Sequence, residues 1–268
     1  MNKNDIYNMY KMYKMYGIIV LIILIYILYI KYNNIERYEN NCKINIIIPI
    51  KNREVELEDF IINIEPLFRN LNINYRIYII EQKNGIKFNR GKLLNIGFIE
   101  ANKDKFANYY YFTDCDIYPL NFTEFKINCY DEIVHLYGNE NNLGGVMIIN
   151  KENYELINGH SNNYSGWGLE DNNIMDRAII LGAKINNSNL IKRYTNNNIY
   201  DKKSPEDYQI KKKEMYNKNK KQYDIDKRLY IENKDNIYKD GIKNCNYKII
   251  TKMSYKDKPY INRYLVEI

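Results

Sequence analysis

Histidine and tryptophan are nearly missing from this chain. His135, His160 and Trp167 are the whole supply in 268 residues, and none of the four cysteines forms a Cys-x-x-Cys pair. The common zinc-ligand spacings are therefore excluded. With no histidine placed beside Cys115, a cysteine-histidine nucleophile is excluded as well, and Cys115 reads as a buried strand residue. Both histidines read as structural or surface residues. Cys42, Cys115, Cys129 and Cys245 are spread widely enough for one or two disulfides in an oxidising lumen, or for buried thiols. There is no internal repeat, and no basic stripe tightly interleaved with aromatics. The net charge of +7 thus follows from heavy use of Lys, Asn, Ile and Tyr, whose codons are rich in A and T, and implies no nucleic-acid partner.

What is present begins with an apolar stretch. Residues 1–14 are polar, with Lys3, Lys11 and Lys14, and residues 15–30 carry no charge. Such a helix rises about 1.5 Å per residue, roughly 24 Å in all. That is short of the ~30 Å of an average hydrocarbon core but suits a thin early-secretory membrane, with tyrosine and lysine at the ends. Lys31-Tyr32-Asn33-Asn34 offers no small-residue cleavage site, so the stretch reads as a retained membrane anchor. The positive flank makes residues 1–14 a cytoplasmic tail. Residues 31–43 are then a short stem, and residues 44–268 one lumenal catalytic domain.

Strand and helix patterns alternate from Ile44 onward. The apolar run 45–53 suits a strand buried on both faces of a parallel sheet. Residues 54–70 place Leu57, Phe60, Ile61, Ile64 and Leu67 on one helical stripe. Residues 75–80 form a second strand, 87–102 a loop and an amphipathic helix, 109–120 a third strand ending in acids, and 144–150 a fourth. Residues 201–240 have only weak helical spacing, and 241–253 could be a last strand. Alternation of this kind predicts an open α/β sheet whose ligands bind outside the carboxyl ends of its strands. Lys51, Arg53, Asn89, Arg90, Asp114 and Asp116 all fall there.

Two stretches carry chemistry. Asp114-Cys115-Asp116 closes an apolar strand, and strand alternation would set both carboxylates on one side. There they could hold a hard divalent cation against a diphosphate, with Arg53, Arg90 and Lys92 as phosphate partners. In YSGWGLEDNNIMDR (164–177) glycines flank Trp167, and Glu170 and Asp171 follow. A flat aromatic covers the apolar face of a pyranose while carboxylates accept hydrogen bonds from its hydroxyls. The plainer reading is a helix N-terminus with acids in its first turn.

IIIPIKNR, FNRGKLLNIGF, FTDCDIYPLN, GGVMII and INGHSNNYSGWGLEDNN, in this order, resemble the β-1,4-galactosyltransferase family, inverting enzymes of the type A glycosyltransferase fold. The likeness runs from about Asn45 to Arg177 and returns weakly at 239–250. It implies a Rossmann-like nucleotide-sugar-binding mixed sheet behind an N-terminal transmembrane helix, in a single-pass type II protein of the Golgi. It implies UDP-galactose or UDP-N-acetylgalactosamine as donor, an acceptor glycan, and Mn²⁺ or Mg²⁺ as cofactor. The donor pocket would be lined by Pro49, Lys51, Arg53, Phe88, Arg90, Asp114, Asn142, Gly145, Trp167 and Glu170. Asp116 would hold the metal, Trp167, Asp171 and Asn172 would meet the acceptor, and Asp171 would be the general base of a single displacement.

Several positions depart from the family. Lys51 replaces an arginine and gives up a bidentate grip. Thr195 and Asn198 stand where two further metal ligands are expected, which points toward weaker binding and Mg²⁺. Asn172 replaces an acid of the acceptor pair. Asn142 replaces a bulky aromatic, leaving room for an N-acetyl group. GWGLED also resembles the loop of chondroitin-polymerising enzymes, so hexosaminyl transfer onto a uronic acid is the enzymatic alternative. A non-catalytic, membrane-anchored carbohydrate-binding relative is the other. Sequons at Asn121, Asn163 and Asn186 fit a lumenal protein, though Asn163 lies too near the candidate site to welcome a glycan.

Overall fold

The computed structural model describes residues 15–29, 42–120, 129–188, 194–196 and 206–268. The chain divides into two units, Met1–Asn41 and Cys42–Ile268. In the first, residues 15–29 form helix α1, about 22 Å long at 1.5 Å per residue, with its apolar side chains exposed. Among the described residues no helix is long and apolar enough to cross a membrane. The transmembrane helix expected over 15–30 is thus matched only by this shorter helix. Ile30, the tail 1–14 and stem residues 31–41 lie outside the described residues.

The second unit is built on strand β1 (Lys43–Ile50). Its run of isoleucines is apolar on both sides because both sides are covered. Ile44, Ile46, Ile48 and Ile50 enter one core with Phe60, Ile64 and Leu67 of helix α2 (Glu54–Asn70). Ile47 enters a second core with Leu93, Leu94 and Ile96 of helix α3 (Arg90–Lys103). Strand β1 pairs in parallel with β2 (Asn74–Gln82) on one side and β3 (Tyr109–Phe112) on the other. The full sheet also contains β5 (Ile133–Tyr137), β6 (Val146–Asn150), β7 (Ile185–Asn186), β9 (Lys248–Tyr255) and β10 (Lys258–Glu267), in the order β7-β5-β6-β3-β1-β2-β10-β9. Strands β3 and β5 pair antiparallel to β6, so the sheet is mixed. The chain order reverses at β1, with β2 on one side and β3 on the other, so the carboxyl ends of β1 and β3 form the switch point at which open α/β sheets bind ligands.

Three expectations need correction. The strand expected over 109–120 stops at Phe112, and a short strand β4 (Ile117–Pro119) follows. Between them the Ile117 amide donates to the Asp114 carbonyl at 3.4 Å and the Thr113 hydroxyl to the Ile117 carbonyl at 3.3 Å. A turn, not strand alternation, therefore presents Asp114 and Asp116. The last strand expected over 241–253 starts at Lys248 and hairpins into β10, which sequence periodicity missed because Asn262 and Arg263 interrupt its apolar alternation. The weakly periodic stretch 201–240 contains helix α6 (Glu206–Glu232). Asn219, Asp226 and Tyr230 are the residues it buries most deeply, so the helix docks largely through polar groups and lacks the apolar stripe that a periodicity search detects.

Cys42 at the foot of β1 is disulfide-bonded to Cys129, 87 residues on, while Cys115 and Cys245 are free. Closing so long a loop restricts the unfolded chain strongly. Cys129→Ser is expected to cost about 2–4 kcal/mol in denaturant unfolding, and non-reducing peptide mapping should recover the Cys42–Cys129 pair. A pairing through Cys115 or Cys245 instead would contradict this register.

Candidate active site

Outside the carboxyl ends of β1 and β3 a buried arginine of α3 joins three other chain segments. Helix α3 opens at Asn89, whose Oδ1 accepts from the Lys92 amide at 2.9 Å, so the next side chain, Arg90, projects from the first turn. Its Nε donates to Asp114 Oδ1 at 2.6 Å, Nη1 to Asp171 Oδ1 at 2.9 Å, and Nη2 to the Gly145 carbonyl at 3.3 Å. Burial disfavours the guanidinium charge, yet Asp114, Asp171 and Glu170 outweigh burial and raise its pKa. On the far side of the turn, Arg53 Nη1 donates to Asp116 Oδ2 at 2.7 Å. Burial first, and Asp114 second, push the Asp116 carboxyl up, while Arg53 opposes them. Arg90 thus ties Asp114 to Asp171, and Asp114 acts in turn on Asp116 through space.

Glu170 and Asp171 start helix α5 (Glu170–Ile180), where the helix dipole favours acids. The residue before them, Leu169, is held at φ 75°, a left-handed conformation that a leucine rarely adopts. Gly144 makes room for the pair. A Cβ there would lie 2.4 Å from Asp171 Oδ2, so only glycine fits. Burial, then Asp171, push the Glu170 carboxyl up to about 8 against the pull of Arg90. A carboxyl whose folded pKa lies above its unfolded value binds its proton more tightly when folded. Stability is then lost as pH rises from the ordinary carboxylate range toward 8. Glu170→Gln should match wild type in unfolding free energy near pH 4 and exceed it at pH 8. The gain is on the order of 2 kcal/mol, because partial solvent access and Arg90 share the charge. Parallel pH profiles for the two proteins would refute this.

The Trp167 loop is fixed at both ends. The Gly166 amide donates to the Phe88 carbonyl at 2.7 Å, and the Asn219 side chain of α6 donates to the Gly168 carbonyl at 2.9 Å. A Cβ on Gly166 would meet Met215 Sδ at 2.3 Å, so the glycine lets α6 close over the loop. Further back, Arg177 is wholly buried and donates to the carbonyls of Gly159 at 3.1 Å and Asp240 at 2.8 Å, and to Tyr230 Oη at 2.9 Å. Asp240 also accepts from the Asn162 amide at 2.9 Å. Asn219, Arg177 and Asp240 were not singled out in sequence. The only signal was the weak return of family likeness at 239–250, which contains Asp240.

The remaining nominated residues fall as follows. Pro49 is buried in β1 opposite Ile80, and Lys51 donates to the Ile86 carbonyl. Phe88 packs against the α3 core. Asn142 Oδ1 accepts from the Gly144 amide at 3.0 Å, and Asn172 donates to the Asn141 carbonyl at 3.4 Å. Lys92, expected among the phosphate partners, instead lies beside Cys245, where its charge tempers the upward push of burial on the thiol. His135 and His160 are both buried, bonded to the Gly144 carbonyl and the Tyr154 hydroxyl, and burial lowers both pKa values. Among the described residues no three His, Cys, Asp or Glu side chains converge as a metal cage. Thr195 lies on strand β8 (Tyr194–Asn196), opposite Tyr118 of β4, and Asn198 and Asn121 lie outside the described residues. The donor chemistry still fits a hard cation, because Asp114 and Asp116 present carboxylate oxygens at the strand tip, each now shared with an arginine.

Comparison with known proteins identifies the family and the fold. A family model described as the N-terminal region of glycosyl transferase group 7 matches residues 33–130, and one described as the N-terminal domain of galactosyltransferase matches residues 126–200. β-1,4-Galactosyltransferase 1 of Mus musculus is 35% identical over 159 residues, covering 56% of this chain and 40% of the relative. β-1,4-Galactosyltransferase 4 of Cricetulus griseus is 35% identical over 158 residues, covering 55% and 45%. The matches therefore span less than half the length of these relatives. The fold resembles the catalytic domain of Drosophila β-1,4-galactosyltransferase 7 in complex with xylobiose, with a TM-score of 0.64 at 23% identity over 85% of this chain and 94% of that one. A mutant of the same Drosophila enzyme, in complex with manganese, UDP-Gal and xylobiose, superposes equally well, with a TM-score of 0.64 at 22% identity.

Proposed function

The chain belongs to the β-1,4-galactosyltransferase family, and on that premise we propose that it transfers galactose from UDP-galactose to an acceptor sugar with inversion. The observation that carries this reading is the single guanidinium of Arg90 held between Asp114 at 2.6 Å and Asp171 at 2.9 Å. It ties the acids of the strand tip to the acid beside Trp167, as one sugar carbon attacked on one face and left on the other requires.

Each residue then has a task. Asp171 gives one oxygen to Arg90 and keeps Oδ2, beside Gly144, to take the proton of the attacking hydroxyl. Glu170, protonated over much of the neutral range, donates to a donor-sugar hydroxyl. Trp167, 45% exposed, offers its face to the sugar pair. Arg53 and Lys51 stand at the end of β1, where the diphosphate would lie. Bound Mn²⁺ or Mg²⁺, held by Asp116, would supply charge neutralisation of the departing diphosphate. The uncharged stretch 15–30 with its lysine flank is the ground for a type II membrane anchor in the secretory pathway, while the described helix 15–29 by itself falls short of a span; extraction of the intact protein by carbonate without detergent would contradict the anchor.

UDP release over a panel of galactose and N-acetylgalactosamine donors, acceptor sugars and divalent cations tests the reading. Activity with at least one donor and acceptor is the expected result. Silence on every pair, with the protein folded and Trp167 emission still responding to glycans, would leave a carbohydrate-binding relative instead.

A further inference from the structure

Neither histidine has a task in the transfer outlined above, yet one of them reaches Asp171 through a single intervening residue. His135 is wholly buried in β5, among the apolar Ile133, Val134 and Leu136. Desolvating an imidazole in such a strand costs free energy that an aliphatic side chain would not. One hydrogen bond offsets that cost. His135 Nε2 lies 2.7 Å from the Gly144 carbonyl oxygen. A carbonyl only accepts, and burial favours the neutral ring, so the proton sits on Nε2. The β5–β6 ladder slips by one residue between His135 and Tyr137, a bulge of the kind that re-aims a side chain beside a site. Gly138, at φ 140°, keeps the path clear, because a Cβ there would lie 2.5 Å from the Gly144 oxygen and 2.8 Å from His135 Nε2.

The carbonyl held in this way belongs to the peptide between Gly144 and Gly145, and both glycines touch the acid-and-arginine cluster. A Cβ on Gly144 would meet Asp171 Oδ2 at 2.4 Å. The Gly145 carbonyl is the third acceptor of Arg90, at 3.3 Å. Just before them the Leu143 amide donates to the Asp171 backbone carbonyl at 3.1 Å, and the Asn142 side chain accepts from the Gly144 amide at 3.0 Å. A peptide between two glycines has no Cβ on either side to restrict it, so its partners set its orientation. We propose that His135 is a positioning residue: by holding the Gly144 carbonyl it fixes the Gly144–Gly145 peptide against Asp171 and Arg90, and so fixes where the Asp171 carboxylate points. The role of Asp171 as base rests on the transferase reading, whereas the fixing of the peptide rests on β5 alone.

The full chain in detergent, as wild type, His135→Leu and His135→Gln, tests this. Leucine fills the space without a donor, and glutamine keeps an amide N–H near the place of Nε2. Hydrogen exchange needs no turnover. In His135→Leu the Leu143 amide should exchange faster by roughly tenfold, the worth of one net hydrogen bond, and His135→Gln should restore most of the protection. In kinetics, His135→Leu should lower kcat by roughly ten- to a hundredfold, the cost of a misplaced catalytic group, with little change in KM for UDP-galactose and with recovery in His135→Gln. Nitrogen spectra of wild type with labelled histidine should show His135 protonated on Nε2. Should His135→Leu not fold, His135→Asn, whose amide falls short of the Gly144 carbonyl, takes its place in the comparison. Exchange at Leu143 unchanged by loss of the donor, equal damage in the glutamine variant, or a proton on Nδ1 would each overturn the proposal. If every UDP-release assay is silent, the transferase reading fails while the exchange pair still decides for His135: local loss of protection restored by glutamine supports it, and its absence overturns it.

Discussion

Asp171→Asn is expected to lower kcat by roughly 10²- to 10⁴-fold, the range of a lost general base. The change is close to isosteric. An asparagine oxygen can still accept from Arg90 Nη1, which lies 2.9 Å from Asp171 Oδ1, so the turn at Leu169 that enters α5 should keep its shape. What disappears is the second oxygen's ability to take a proton from the acceptor hydroxyl. Donor affinity, measured as UDP-galactose binding without acceptor, should change far less than kcat. The split between the two separates a base from a residue that only holds the site together. A variant as active as wild type would remove Asp171 from the chemistry, and one that loses donor binding in proportion would make it a structural acid.

Arg90→Met should be among the most destabilising single changes in the domain. The side chain is 9% exposed and neutralises Asp114 and Asp171 directly, with Glu170 nearby. Removing one partner of such a buried set leaves uncompensated charge, at a cost of about 3–5 kcal/mol. The loss should depend on pH. Without the guanidinium, whose charge pulls against burial, the Glu170 carboxyl binds its proton still more tightly folded than unfolded, so stability falls as pH rises from the ordinary carboxylate range toward 8 and returns partly on acidification. Denaturant midpoints at pH 5 and pH 8 measure the difference, with the larger deficit at pH 8. Arg90→Lys keeps the charge but not the fork that reaches Asp114, Asp171 and the Gly145 carbonyl together, so it should recover only part. Equal midpoints for wild type and Arg90→Met at pH 8 would mean that the network is not a stabilising element.

The isoleucine run 44–50, the stripe on α2 and the order of the five family blocks were legible in one dimension. An apolar run buried on both faces and an amphipathic helix are written by local alternation, and short motifs keep their spacing. Arg53, Arg90, Asp114, Asp116, Trp167, Glu170 and Asp171 could be nominated on that basis. Sequence also pointed away from a zinc site of the Cys-x-x-Cys type, since the missing spacing is read without coordinates.

Only the tertiary structure decided which of these residues meet. Arg90 reaches Asp114 and Asp171 across 24 and 81 residues of chain, while Lys92, two positions away, has its backbone carbonyl beside the Cys245 thiol. The Cys42–Cys129 pairing, the strand β10 and the docking of α6 over Trp167 were equally out of reach. Each depends on contacts between distant, largely polar groups, and such contacts leave no period in the sequence. Local patterning could name the side chains of the site, but whether their charges cancel, stack or compete was fixed by folding alone.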